Sequence, residues 1–153
     1  MKTSNKVRMG VAFIVLAVGM IFTFAPNQVS AKGTDGYYLG SCQRNVKDKD
    51  KTGVISKVIF KNNKMIVYGS LRGGEDLDKM VVDGTWKYYK NKKRTFQLSK
   101  KVKFYSTGGT GPIKRLKKKN FIKSCKYLSK HPNGIGFEFQ IKKGKVVKCV
   151  FAS

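Results

Sequence analysis

Acidic side chains are scarce in this chain. Its 153 residues contain 8 Asp and Glu against 33 Lys and Arg, which gives a formal net charge of +25. Histidine is scarcer still, since His131 is the only one. General acid–base chemistry needs placed imidazoles or carboxylates, and zinc sites draw on His and Cys. We therefore expect no enzyme activity, no metal site and no cofactor.

Cysteine is also sparse, and its three copies, Cys42, Cys125 and Cys149, include no Cys-x-x-Cys spacing. An odd number permits one disulfide and leaves one thiol, which is far from a disulfide scaffold. Cys125 falls on the apolar face of a predicted helix and Cys149 in the last apolar strand. We expect these two to be buried and close, as a candidate disulfide. The alternative is that all three stay reduced and pack as small apolar side chains.

The N-terminus has the pattern of a secretory signal peptide. Lys2, Lys6 and Arg8 precede an uncharged, mostly apolar run of 16 residues from position 10 to position 25, and small residues precede a cleavage point after Ala31. A membrane span needs about 20 apolar residues, so an uncleaved anchor is the weaker alternative. We expect a signal peptide at 1–31, one domain at 32–153, a secreted or cell-surface location, and no stable membrane insertion after cleavage.

The expected domain has a large excess of positive charge. Residues 32–153 hold 30 Lys and Arg and 8 Asp and Glu, a net +22, and four of those basic residues are Arg. Such a surface attracts polyanions through long-range forces that salt weakens. Lysine is a mobile point charge, whereas arginine offers a planar fork, so diffuse binding is expected. The alternative is that the lysines only keep the protein soluble.

Hydrophobic periodicity predicts mostly strands. Two β-branched runs, 54–60 and 65–71, flank an Asn-rich turn at 61–64, and a second pair, 136–141 and 146–151, flanks a turn at 142–145. Both pairs predict hairpins. Shorter strands are predicted at 36–40, 84–89, 95–98 and 102–105, with turns at 90–93 and 99–101. The acidic stretch 72–83 is predicted to be a loop.

One helix is predicted at 117–130, because Phe121, Ile122, Cys125 and Leu128 fall on one face. The expected fold is therefore mainly β, with a small α content. It is a small antiparallel curved sheet or barrel of about six to eight strands with one helix before the C-terminal hairpin. That order is analogous to an oligonucleotide/oligosaccharide-binding barrel.

Candidate binding residues follow from this layout. The basic set on and before the helix is the candidate polyanion site: Lys114, Arg115, Lys117, Lys118, Lys119, Lys123 and Lys126. Three aromatic residues among lysines, Trp86, Tyr88 and Tyr89, are candidates for stacking on sugars or bases. The alternative is that some of these rings belong to the core. Asp48–Gly53 resembles the start of a calcium loop, but Ile59 stands where the bidentate Glu belongs, so a solvated turn is expected.

The signal peptide, the segment 95–105 with the glycine-rich loop after it, and the ending 141–147 give the chain a family resemblance. It resembles small, Lys-rich exported proteins of Gram-positive anaerobic bacteria. These have no assigned activity, so the resemblance implies an extracellular setting and transfers no functional residues. Together the residues predict a non-catalytic exported module that binds a polyanionic polymer of the cell envelope, nucleic acid or an acidic glycan. The alternative is a small secreted structural domain that binds a protein partner.

Overall fold

The structure is a computed structural model that describes residues 34–108, 112–128, 130 and 134–152. Seven strands and two short helices follow one another along the chain. They are β1 (Gly36–Cys42), β2 (Val54–Lys61), β3 (Lys64–Gly74), α1 (Leu77–Val82), β4 (Lys87–Thr107), β5 (Lys114–Leu116), α2 (Lys118–Leu128), β6 (Ile135–Lys142) and β7 (Lys145–Ala152). The mostly β fold expected from the sequence is confirmed. The predicted signal peptide, residues 1–31, lies outside the described residues.

Five strands close into a ring of hydrogen-bonded neighbours in the order β1–β3–β4–β7–β6 and back to β1. β2 is added beside β3, and β5 beside β4. The helix α2 lies between the third and fourth ring strands along the chain, before the C-terminal hairpin as predicted. This position agrees with the barrel analogy drawn from the order of elements.

Both predicted hairpins are present. Asn62 and Asn63 turn between β2 and β3 with φ of 49° and 55°, and Lys143 and Gly144 turn between β6 and β7 with φ of 51° and 69°. Two consecutive positive φ values give a turn whose twist matches that of the flanking strands. The carboxylate of Asp35 accepts the backbone N–H groups of Lys143 and Gly144. The start of β1 is therefore tied to the last turn.

The expectation of a purely antiparallel sheet is wrong at two pairs, because β1 pairs with β2, and β4 with β7, in parallel. Each parallel pair needs a connection that returns the chain to its starting end. Residues 43–53 make the first return. The chain through β5, α2 and β6 makes the second.

The predicted turns at 90–93 and 99–101 are wrong, because both segments are irregularities inside the single strand β4. At the first, the Arg94 guanidinium donates to the carbonyl oxygens of Lys90 and Lys92 on its own strand and of Gly69 on β3. These bonds satisfy backbone groups that a turn would otherwise expose. The lysine-rich segment 90–93 is therefore part of strand β4.

The acidic stretch predicted as a loop contains the six-residue helix α1. Asp76 is its N-cap, and the side chain accepts the backbone N–H groups of Asp78 and Lys79. The short strand β5 was also missed by the sequence reading. Three residues give too short a pattern for periodicity to detect.

The core fills the ring and is rich in phenylalanine. Phe121 of α2 has no exposed surface and contacts the rings of Phe60, Phe104, Phe137 and Phe151. The closest pair, Phe121 and Phe151, stacks with ring centroids 4.1 Å apart. This one side chain therefore anchors α2 onto the barrel.

Candidate functional site

A cleft of about 530 Å³ lies between the second half of β4 and the segment from β5 to the start of α2. We call it the basic cleft. Its cations are Lys100, Lys103, Arg115, Lys117 and Lys118. The other lining residues are Asn63, Ser99, Val102, Phe104 and Leu116. Among the described residues that line it, none is acidic.

A bulge in β4 takes one of these lysines, Lys100, out of the ladder. The pairing of β4 with β7 passes from Leu98 opposite Val146 directly to Lys103 opposite Lys148. The four intervening residues 99–102 are thus left out of this ladder opposite the single residue Val147, as in a bulge with several extra residues. Within it, the Ser99 hydroxyl accepts the backbone N–H of Lys101.

The first hairpin holds the near end of the bulge. Leu98 donates its N–H to the Asn63 carbonyl oxygen at 2.9 Å, and the Asn63 side-chain amide donates to the Leu98 carbonyl at 3.2 Å. This reciprocal pair fixes β4 where Lys100 leaves the ladder. The hairpin turn that the sequence predicts therefore also shapes the cleft.

The opposite wall is set by β5 and by the packing of α2. β5 runs antiparallel to β4 with Leu116 opposite Phe104. The Phe104 ring in turn lies 4.7 Å from the Phe121 ring, centroid to centroid. Lys117 and Lys118 follow Leu116 directly, so the core contact fixes where they stand beside the cleft.

Among the described residues, no carboxylate forms an ion pair with the cleft cations. All eight acidic residues lie in the described part of the chain, and the ion pair found there joins Lys148 to Glu138 at 3.8 Å. Four of the eight acids cluster instead around α1 at Glu75, Asp76, Asp78 and Asp83. An uncompensated group of cations with low-dielectric walls concentrates positive potential.

The structure gathers part of the basic set that the sequence singled out. Arg115, Lys117 and Lys118 line the basic cleft, while Lys126 lines a different cavity. Lys114, Lys119 and Lys123 are exposed outside both. Sequence reasoning missed Lys100 and Lys103. Their position in and just after a predicted break between two apolar runs was the available signal, because Lys100 lies in the strand irregularity and Lys103 is the first residue paired beyond it.

The second cavity, of about 410 Å³, lies between β2 and α2, and we call it the edge groove. Its apolar lining residues are Val58, Ile59, Phe60, Ile122 and Cys125. Its polar lining residues are Arg44, Ser56, Lys57, Lys126 and Lys130. It shares no lining residue with the basic cleft.

The three candidate stacking rings lie at the start of β4 and just before it, away from the basic cleft. Tyr89 packs against the core, with its ring 5.5 Å from that of Tyr38. Trp86 is 38% exposed, and the Arg72 guanidinium lies 4.7 Å from its ring centroid. Tyr88 is half-buried. Trp86 is therefore the ring with the most free surface of the three.

All three cysteines are buried free thiols. Burial raises the pKa of Cys42 to about 12 and raises those of Cys125 and Cys149 further above their usual value. The expected burial of Cys125 and Cys149 is thus observed. The candidate disulfide between them is untested, and the free thiols correspond to the alternative of three reduced cysteines. His131 lies outside the described residues.

Within the described part of the chain, no group of three or more His, Cys, Asp or Glu side chains is placed to hold a metal ion. No helix of that part is long and apolar enough to cross a membrane. Comparison of the chain with protein-family models, with curated proteins and with solved structures finds no match. Functional inference therefore rests on the geometry above.

Proposed function

We propose that this protein is an exported, non-catalytic module that binds linear polyanions through the basic cleft. The observation that carries the proposal is the convergence of five cations from β4, β5 and α2 on one cleft with no acidic lining residue. Strands and a helix hold their backbones, while the lysine side chains stay mobile. Such a site suits a repeating anionic chain, such as a cell-wall polymer, nucleic acid or an acidic glycan.

Salt dependence tests the proposal. Each phosphate that a cation neutralises contributes about −0.9 to the slope of log affinity against log salt on duplex DNA. Five contacts would weaken binding roughly 10²–10³-fold between 50 and 200 mM salt. The experiment measures binding to DNA and to heparin across that range, for the wild type and for two variants.

The first variant changes the five cleft cations to Gln. The matched control changes five exposed lysines elsewhere, Lys47, Lys49, Lys90, Lys143 and Lys145, to Gln and removes the same charge. The cleft variant is expected to lose about four units of slope and the control about one or less. Equal losses in both variants would mean that net charge alone binds the polymer, and would reject the cleft.

A second candidate function has an observation of its own. Val81, Val82 and Trp86 are 67%, 79% and 38% exposed beside the acidic cluster around α1. We call residues 75–86 the acidic knob. Exposed apolar surface rimmed by charge is typical of protein docking sites. On this alternative, Val82→Asp abolishes capture of an envelope protein partner while the cleft variant leaves capture intact.

A further inference from the structure

The edge groove exists because β2 has a strand neighbour on only one of its two edges over most of its length. β1 pairs with β2 only at Val54 and Ile55, and beyond them β2 pairs with β3 alone. Its other edge faces α2, which is anchored through the contact of Phe60 with Phe121, at 5.9 Å between centroids. Helix and strand edge leave a space of about 410 Å³ between them. Small-molecule sites fall in the range of ~300–1,000 Å³.

The floor and walls of this groove are apolar. Val58, Ile59 and Phe60 come from β2, and Ile122 and Cys125 from α2. Cys125 adds no charge, since burial raises the pKa of its thiol well above neutrality. Covering apolar surface of this kind with a hydrocarbon chain removes it from water, which is favourable.

The polar side of the groove carries a single sign of charge. Arg44, Lys57, Lys126 and Lys130 are exposed, and among the described residues that line the groove none is acidic. The Glu138–Lys148 ion pair lies on β6 and β7, away from this site. A ligand that fills the groove therefore meets hydrocarbon on one side and four uncompensated cations on the other.

We propose that the edge groove binds a single-chain anionic amphiphile, a molecule with one hydrocarbon chain and one anionic head group. The chain covers the floor between β2 and α2, and the head group meets Lys57 and Lys126. A neutral hydrocarbon leaves the cations unused, and a small inorganic anion leaves the floor uncovered. The proposal does not depend on polyanion binding, because the two cavities share no lining residue.

The test uses the domain from residue 32 onward and calorimetric titration with decanoate below its micelle-forming concentration. Decanol, which lacks the charge, and acetate, which lacks the chain, are the matched ligands. Lysophosphatidylglycerol, which has one hydrocarbon chain, is compared with lysophosphatidylcholine as the control without net charge, and asks whether the amphiphile is a lysophospholipid or a free fatty acid. Lys57→Gln/Lys126→Gln is the groove variant, and Lys49→Gln/Lys143→Gln removes the same charge elsewhere.

Decanoate is expected to bind more tightly than decanol and acetate. The groove variant is expected to weaken decanoate binding about fivefold, since two exposed charge contacts are lost, and the control to leave it unchanged. If lysophosphatidylglycerol binds with the same dependence on Lys57 and Lys126, the amphiphile is a single-chain phospholipid. Absence of binding by both decanoate and lysophosphatidylglycerol overturns the proposal, as does equal weakening by the two variants or equal binding of decanol.

Ile122→Gln provides an independent check of the floor, because it keeps every cation and makes one wall polar. Weaker decanoate binding with unchanged DNA binding supports the groove. Unchanged decanoate binding overturns it. The five-residue cleft variant completes the separation: it is expected to leave decanoate binding in place while DNA binding falls. Failure of one proposal is thereby distinguishable from failure of the other.

Discussion

The two cavities beside α2 carry the same sign of charge but differ in how they are built. The basic cleft is formed where β4 bulges, and its cations come from three elements. The edge groove is formed where β1 no longer pairs with β2, so that one edge of β2 is without a strand neighbour. Its apolar floor is larger than that of the basic cleft, and cations lie beside it. Charge alone therefore does not distinguish ligands on this protein. The apolar surface next to the charge does.

The largest expected effect comes from the side chain on which both cavities depend. Phe121→Ala removes a fully buried ring with four aromatic neighbours and leaves a cavity. We expect a loss of about 3–5 kcal/mol in the free energy of unfolding, measured by denaturant titration. Tyr127→Ala, on the same helix at a position 59% exposed, is the control, expected within about 0.5 kcal/mol. A loss for Phe121→Ala no larger than the control would contradict the assigned anchor.

An effect of intermediate size is expected on the groove side alone. Asp48 holds the loop before β2: its carboxylate accepts the backbone N–H groups of Thr52 and Gly53 and the Ser70 hydroxyl. Hydrogen bonds to a carboxylate are each worth about 1.5–3 kcal/mol, less where solvent competes. We expect Asp48→Asn to lower the free energy of unfolding, measured by denaturant titration, by about 2 kcal/mol. Asp50→Asn, two residues along the same loop, is the control and is expected to leave the free energy of unfolding almost unchanged.

The Asp48 carboxylate also makes the stability difference between the wild type and Asp48→Asn depend on pH. Burial raises the pKa of Asp48, but the hydrogen bonds from Ser70, Gly53 and Thr52 outweigh it, so the net pKa is lowered. The folded protein thus binds this proton less readily than the unfolded chain does, and the contribution is present above the unfolded pKa of about 3.9. It is lost as pH falls through the lower folded value. The stability gap between wild type and Asp48→Asn should narrow below about pH 4, and a constant gap would refute the assignment.

The smallest expected effect concerns the thiols, one of which lines the groove. Because burial raises the pKa values of all three, alkylation of the folded protein at pH 8 should be slow. In denaturant without reductant, mass spectrometry should find three modified cysteines. A single modified cysteine would reveal that Cys125 and Cys149 pair after all, and would show that the groove wall is cross-linked to β7.

The sequence was sufficient for features set by local pattern. Asn62–Asn63 and Lys143–Gly144 predicted hairpins, and the apolar face at Phe121 and Cys125 predicted α2, because these signals lie within a few residues. The continuity of β4 was not predictable in this way. It depends on pairing with β3, and where that pairing is irregular the Arg94 guanidinium donates to the Gly69 carbonyl, 25 residues away in the chain.

The residues of the basic cleft likewise include some that local sequence predicted and some that it did not. Arg115, Lys117 and Lys118 were predicted because they are adjacent in sequence to an amphipathic helix. Lys100 and Lys103 lie near them only because β4 pairs with β5. β5 has three residues, which is too short a pattern to predict that pairing from the sequence. The edge groove follows from the absence of a second strand partner, opposite β3, for most of β2. No local pattern encodes that absence, because it depends on where β1 turns away.

The most direct test of the central claim maps where a polyanion touches the folded domain. Backbone amide shifts in a ¹⁵N NMR titration with a short heparin oligosaccharide report each residue separately. We predict that the largest shifts cluster at Lys100, Lys103, Leu116 and Lys117, with small shifts at exposed lysines such as Lys47 and Lys145. Shifts of similar size at all of these positions would contradict the claim, because they would show that the polyanion follows net charge and not the cleft.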